Sequence, residues 1–255
     1  MLEKEKCILA IEKWEKTRAH YNEIKSLVPP AAAFSFNQKE CQWLEENNDN
    51  GKFHTYIGVN EDQLILIVVP LDKKGTEKEL PSYLYSELKR LNKEIVITET
   101  DVVTTRKKTV LSENLEITKY SEEKDFPTYN EPSITERASV KDIEKWKNEC
   151  LDWFYYQSKK SNGKNIFRTF TVPFSDISRE TGQDGEVVAF FGFKHSSIYQ
   201  KALPILIFIA VENQTKSAQI ISSQAVDEIM LTNSQDWAHP CPPLCKDGVD
   251  FGLLG

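Results

Sequence analysis

The residues best equipped for chemistry stand together near the C-terminus, in Asp236-Trp-Ala-His-Pro-Cys-Pro-Pro-Leu-Cys245. His239, Cys241 and Cys245 are metal-ligand types, and the Cys-x₃-Cys spacing lies within the range used by zinc sites. Structural zinc takes four ligands, so a site here would borrow one from elsewhere in the chain or from a second chain. The other cysteines, Cys7, Cys41 and Cys150, fall in expected helices or beside Trp43 and read as buried apolar residues. A second option is a disulfide between Cys241 and Cys245, closing a small loop stiffened by Pro242-Pro243. The cytosol usually keeps such a bridge reduced. A redox pair more often uses Cys-x-x-Cys at a helix N-terminus, and two prolines hinder a helix from starting at Cys241. The third option is an ordered, proline-stiffened tail that packs or binds a partner, with Trp237 as a possible binding or structural residue.

Other catalytic patterns are absent from the sequence. The four histidines, His20, His54, His195 and His239, belong to no recognisable nucleophile or metal motif. There is no Gly-x-Ser-x-Gly, phosphate-binding loop or dinucleotide-binding glycine pattern, so no cofactor is expected. Glu45-Glu46 and Glu122-Glu123 read as solvated faces. The formal net charge of −7 lacks the concentrated basic surface that nucleic acids demand. Arg106-Lys107-Lys108 and Lys159-Lys160 read as solvated clusters. The longest apolar run, Leu203 to Val211, is interrupted by Pro204 and falls far short of the roughly 20 residues of a spanning helix. The N-terminus lacks a signal-peptide core, so a cytoplasmic location is expected.

The elements that must position these residues are suggested by an imperfect internal repeat. Ile11-Glu-Lys-Trp14 returns as Ile143-Glu-Lys-Trp146, and Gly51 to Val59 lines up with Gly185 to Phe193. Leu64 to Val69 answers to Ile205 to Ala210 after seven inserted residues. Such a long period implies two related domains rather than a solenoid of short units. The expected division is residues 1–120, a linker over 121–136, and residues 137–255.

Each half begins with an amphipathic pattern. Cys7, Ile11, Trp14, Tyr21, Ile24 and Val28 predict one helix, stopped by Pro29-Pro30. Val140, Ile143, Trp146, Cys150 and Phe154 predict its counterpart, stopped by Ser161-Asn162-Gly163. Trp14 and Trp146 are candidate ligand platforms, although a Trp on an apolar stripe is usually core. A short strand follows in each half, then in the first a capping box at Asn37 and Glu40. Asn50-Gly51 and Asp184-Gly185 mark turns. Next come an aromatic-Gly strand and a continuously apolar strand, read as central. Gly58 and Gly192 sit inside the strand patterns, where a glycine marks a bulge, a close backbone approach or room for a ligand. Beyond this core the first half is expected to add a helix through Leu80, Leu84, Leu88 and Leu91, then three strands. The fold class is therefore α+β: two related domains, each a long N-terminal helix packed on a small, mostly antiparallel sheet.

Ile143 to Trp146, Val187 to Phe193, Ile205 to Val211 and Cys241-Pro-Pro-Leu-Cys245 resemble, in that order, a group of small single-domain proteins typical of Bacteroidetes bacteria. The resemblance covers roughly residues 140–245 and implies architecture and provenance only, because it brings no established activity. The first half lacks the Cys-Pro-Pro-x-Cys ending. The function expected from the whole sequence is a non-catalytic binding or assembly protein with a protein partner or self-association. The alternative is a thiol- or metal-dependent activity centred on His239, Cys241 and Cys245.

Overall fold

The computed structural model describes residues 1–91, 94–97, 104–111, 114, 117–125, 133–134, 136–177, 185–196, 201–212, 217–219, 234–235, 239–242 and 251–254. The first half runs β1 (Leu2–Glu3), α1 (Lys4–Thr17), α2 (Tyr21–Leu27), β2 (Ala32–Asn37), α3 (Gln38–Asn47), β3 (Lys52–Asn60), β4 (Gln63–Val69), β5 (Ser82–Glu87), β6 (Lys89–Arg90), β7 (Val96–Ile97), β8 (Thr104–Leu111) and β9 (Ile117–Asp125). The chain continues with β10 (Ser133–Ile134), α4 (Glu136–Ser161), β11 (Thr169–Pro173), β12 (Gly185–Ser196), β13 (Lys201–Glu212), β14 (Ser217–Gln219), β15 (Ser234–Gln235) and β16 (His239–Cys241).

Two six-stranded sheets carry the fold, in the orders β1-β5-β4-β3-β11-β16 and β6-β2-β12-β13-β14-β7. All their pairings are antiparallel except β14 with β7. The short strands cross over between the halves. β11 lies on β3, with Phe170 opposite Thr55, and β2 lies on β12, with Phe36 opposite Val187. Each sheet is thus assembled from both ends of the chain.

The hairpins β3–β4 and β12–β13 are built alike around their glycines. Gly58 faces Ile65, seven residues on, and Gly192 faces Ile205, thirteen on. The second hairpin is therefore longer by six residues (13 minus 7), and Ile65 rather than Leu64 is the counterpart of Ile205. The expected insertion of seven is corrected by one. An unbroken apolar run carries no alternation, so its register is silent in sequence, although a one-residue slip exchanges its two faces. The β3–β4 turn is two residues, Glu61 and Asp62, both with positive φ (46° and 61°), matching the twist of the strands it joins.

The repeated Ile-Glu-Lys-Trp does the same work twice. Ile11 is buried between α1 and one face of β3–β4, while Ile143 packs with Val188, Ile205 and Ile207. Three residues later, Trp14 and Trp146 both enter the single cluster shared by the two sheets, with Phe34, Phe53, Phe167, Phe170, Phe191 and Phe193. Trp14 Nε1 donates to the Phe167 carbonyl at 2.9 Å, tying the first half to the second. Trp146 stacks on Phe191, with ring centroids 4.7 Å apart. Truncating so buried a Trp costs about 3–5 kcal/mol, which places both residues in the scaffold.

Gly58 and Gly192 admit the helices. A Cβ on Gly58 would lie 2.9 Å from Ala10 Cβ and 3.2 Å from the Ala10 backbone. One on Gly192 would lie 2.7 Å from Ile207 Cδ1, with the Asp142 backbone at 3.5 Å. The space beside each glycine is filled by protein, not left for a ligand.

Several expectations are corrected. The first helix is two, because the chain turns at Arg18 to His20, where Arg18 is buried and His20 extended. The helix expected through Leu80 to Leu91 is strand β5, whose Tyr83 and Leu84 are buried while Leu80 and Leu91 lie outside it. Pairing with β4 and β1 overrides the four-residue leucine spacing. Ser121–Asp125, expected in the linker, belong to β9 and pair with β8. The capping box is present: Asn37 Oδ1 accepts from the Glu40 N–H at 3.1 Å, and Glu40 Oε2 from the Asn37 N–H at 2.7 Å.

Candidate functional site

Among the described residues two places concentrate polar chemistry, one sealed and one open. The sealed one grows from the alternation of β3. His54 and Tyr56, two residues apart, share the face that also carries Gly58 and meets α1. The loop after β4 brings Glu77 to them through a bridge with Leu71. Glu77 Oε1 lies 2.6 Å from His54 Nδ1 and accepts from the Tyr56 hydroxyl at 2.5 Å. With Glu77 ionised, Nδ1 carries the proton. All three side chains are buried, with His54 3% and Glu77 7% exposed. Glu77 Oε2 is buried with no hydrogen-bond partner, a deficit worth about 1–3 kcal/mol.

The C-terminal turn closes this cluster. The Phe251 ring lies 4.7 Å from the His54 ring and 6.0 Å from Tyr56. Burial, then the negative Glu77 and the hydrogen bond to it, push the Tyr56 phenol well above its ordinary range. The unfolded phenol titrates near 10.0, so the folded protein keeps a proton that the unfolded chain releases. The stability this supplies is present below that pH and is lost as pH rises. Cys7 and Cys150, pushed up by burial to about 11 from 9.0, act in the same sense. The urea midpoint is therefore expected to fall steeply above about pH 10, and Tyr56→Phe to flatten that fall. An identical slope in the variant would exclude Tyr56 as a source.

The open place is a cleft of about 390 Å³ between α2 and the C-terminal turns of α4. Its walls carry His20, Tyr21 and Glu23 on one side and Tyr155, Ser158 and Lys159 on the other. Tyr21 and Tyr155 meet edge to face, with centroids 5.2 Å apart, yet Tyr155 remains 51% exposed. Tyr156 beside it is 53% exposed, and Lys160 Nζ donates to its hydroxyl at 2.8 Å.

The turn that leads from α1 into α2 is anchored by a buried arginine. Arg18 donates to the Ile166 carbonyl at 2.5 Å and pairs with Glu15, whose other oxygen lies 2.8 Å from Arg168 Nε. Burial is the main influence lowering the Arg18 pKa. Gly163 (φ +74°) lets the loop after α4 lie directly on this turn.

The tail residues are placed only in part. β16 brings His239 opposite Thr171 and Cys241 opposite Thr169, and the Arg168 N–H donates to the Cys241 carbonyl at 2.8 Å. Cys241 is disulfide-bonded and buried, whereas Cys7, Cys41 and Cys150 are free and buried. A disulfide sulfur is not the thiolate a metal requires. Cys245 and Trp237 lie outside the described residues. Among the described residues no group of three His, Cys, Asp or Glu side chains could hold a metal ion. No helix among them is long and apolar enough to cross a membrane.

The sequence reading missed both places. The His54-x-Tyr56 alternation was visible, but Glu77 sits in a loop with no spacing relation to it. Tyr21 and Tyr155 are likewise joined only by the packing of α2 on α4. No protein-family model, no curated protein and no solved structure matches this chain.

Proposed function

We propose that the chain is a non-catalytic binding or assembly protein, built by duplication of an α+β unit and acting through the cleft between α2 and α4. The observation that carries this reading is a contrast in access. The His54–Glu77–Tyr56 cluster, which has the groups for acid–base chemistry, is enclosed. The open cleft instead offers Tyr21 and the half-exposed Tyr155, beside Lys159 and Glu23. Tyrosine is enriched at protein interfaces because it joins a large apolar ring to one polar atom. Duplication is supported by the twin roles of Ile11/Trp14 and Ile143/Trp146 and by the reciprocal placing of β2 and β11. A duplicated unit can imitate within one chain the isologous contact of a homodimer. The partner class is a protein, a cytoplasmic location is part of the proposal, and the resemblance to Bacteroidetes-type proteins stands as its provenance.

The test is a photo-crosslinking residue in place of Tyr155 at native expression level. One discrete adduct is expected, lost when Lys159→Glu and Tyr21→Ala are added. Adducts that survive both changes, or none above a surface control at Lys6, sink the reading. A second reading, a thiol activity at the tail, is favoured by the Cys241 disulfide. It fails if Cys241→Ser with Cys245→Ser leaves the exchange of the protein with a small thiol, whose thiolate attacks the Cys241 disulfide and releases a protein thiol, unchanged.

A further inference from the structure

The C-terminal turn occupies a fitted site. Phe251 sets its ring against His54 and edge-on to Tyr56, at an interplanar angle of 86°. Leu253 is buried in the cluster of Cys7, Ile11, Tyr56 and Tyr83 under α1. Its backbone N–H is directed at the Tyr56 phenol oxygen. Between these anchors Gly252 is itself exposed, yet a Cβ on it would come within 3.3 Å of the buried Glu77 Oε2, a tight contact. The site therefore reads three features in a row: a ring, a residue without a side chain, and a branched aliphatic group. Its occupant is imperfect, since the buried Glu77 Oε2 receives no hydrogen bond.

We propose that His54, Tyr56 and Glu77, with α1, form a recognition pocket for an aromatic–Gly–Leu segment. Phe251–Leu253 fills it in cis, and the same segment of a second copy fills it in exchange. Cis and trans occupants make identical contacts, so exchange conserves every one of them and leaves only the entropy of association to be met. Reciprocal donation closes as a two-fold pair, because each copy both gives and receives one segment. This pocket lies apart from the α2–α4 cleft, and the proposal stands on the contacts of the segment itself.

The experiment uses the full chain carrying Phe251→Ala and Leu253→Ala, which empties the pocket of its anchors. A labelled peptide, Val-Asp-Phe-Gly-Leu-Leu-Gly, is titrated into it beside a control with alanine in the glycine position. Saturable binding is expected for the first, at least tenfold weaker binding for the control, and competition by unlabelled peptide. No binding, or equal binding of both peptides, overturns the proposal. The wild-type chain supplies an independent readout: isotopically light and heavy populations, mixed at high concentration, are expected to give mixed dimers by native mass spectrometry. Phe251→Ala alone should abolish them. If the double variant does not fold, this readout decides, and the absence of mixed dimers at every concentration overturns the proposal.

Discussion

Residues 1–132 expressed without the rest of the chain are expected to stay unfolded, and residues 133–255 likewise, whereas the two co-expressed should form one soluble, folded complex. The reason is the crossing of the short strands. Without the second half, β3 loses β11 along five residue pairs, from Tyr56 opposite Thr169 to Lys52 opposite Pro173. Trp14 loses its acceptor at Phe167, and Arg18 its acceptor at Ile166. Without the first half, β12 loses β2 from Asn37 to Ala33. Each fragment would also expose its share of a core drawn from both, together with an unpaired strand edge that invites aggregation. Circular dichroism and amide dispersion in NMR spectra measure the outcome. Cooperative urea unfolding of either fragment alone would show that the crossed strands are dispensable.

Gly163→Ala is expected to lower the unfolding free energy by roughly 3–5 kcal/mol, combining left-handed backbone strain with overpacking. Gly163 has φ +74°, and a Cβ there would lie 2.2 Å from the Arg18 carbonyl oxygen, 2.4 Å from its carbon and 2.8 Å from the Ala19 nitrogen. All three neighbours are backbone, so no side chain can turn aside. Relief would require α1 and the loop after α4 to separate, with loss of the Arg18 bond to Ile166. Gly163→Asn separates the two causes. Asn tolerates a left-handed conformation but brings the same Cβ, so it should be nearly as damaging as Ala. Urea denaturation at neutral pH measures both variants. A loss below about 1 kcal/mol for Gly163→Ala would mean the contact yields easily.

Much of the scaffold was legible in the sequence, because it rests on local periodicity. The capping box at Asn37 and Glu40 needs only three-residue spacing and forms as expected. The stripe Cys7, Ile11, Trp14 follows the helical period and is buried. Pro29-Pro30 ends α2 because proline removes the donor the next turn needs. Legibility failed where two signals competed. Leu80, Leu84, Leu88 and Leu91 have helical spacing, yet Tyr83 and Tyr85 between them favour a strand, and the edge of β4 supplied a partner. It failed again in Ile65 to Val69, where unbroken apolarity erased the register.

The candidate sites were less legible still. His54 and Tyr56 share a strand face by alternation, but Glu77 reaches them across a loop. The Tyr21–Tyr155 cleft joins residues 134 positions apart (155 minus 21) through helix packing alone. In the tail, Cys241 is bonded in a disulfide, an option that the spacing offered but that the reading of an ordered, proline-stiffened tail outweighed.

Sequence alone determined that the chain holds two rounds of helix, aromatic-Gly strand and apolar strand, since those follow from periodicity and from where proline and glycine fall. It determined, too, that Trp14 and Trp146 belong to hydrophobic stripes. Only the tertiary structure decided that β2 joins β12 and β11 joins β3, because strand pairing is set by backbone hydrogen bonds that any residue can make. It likewise decided that Phe251 covers His54 while Tyr155 stays open, since burial depends on what the rest of the chain lays on top.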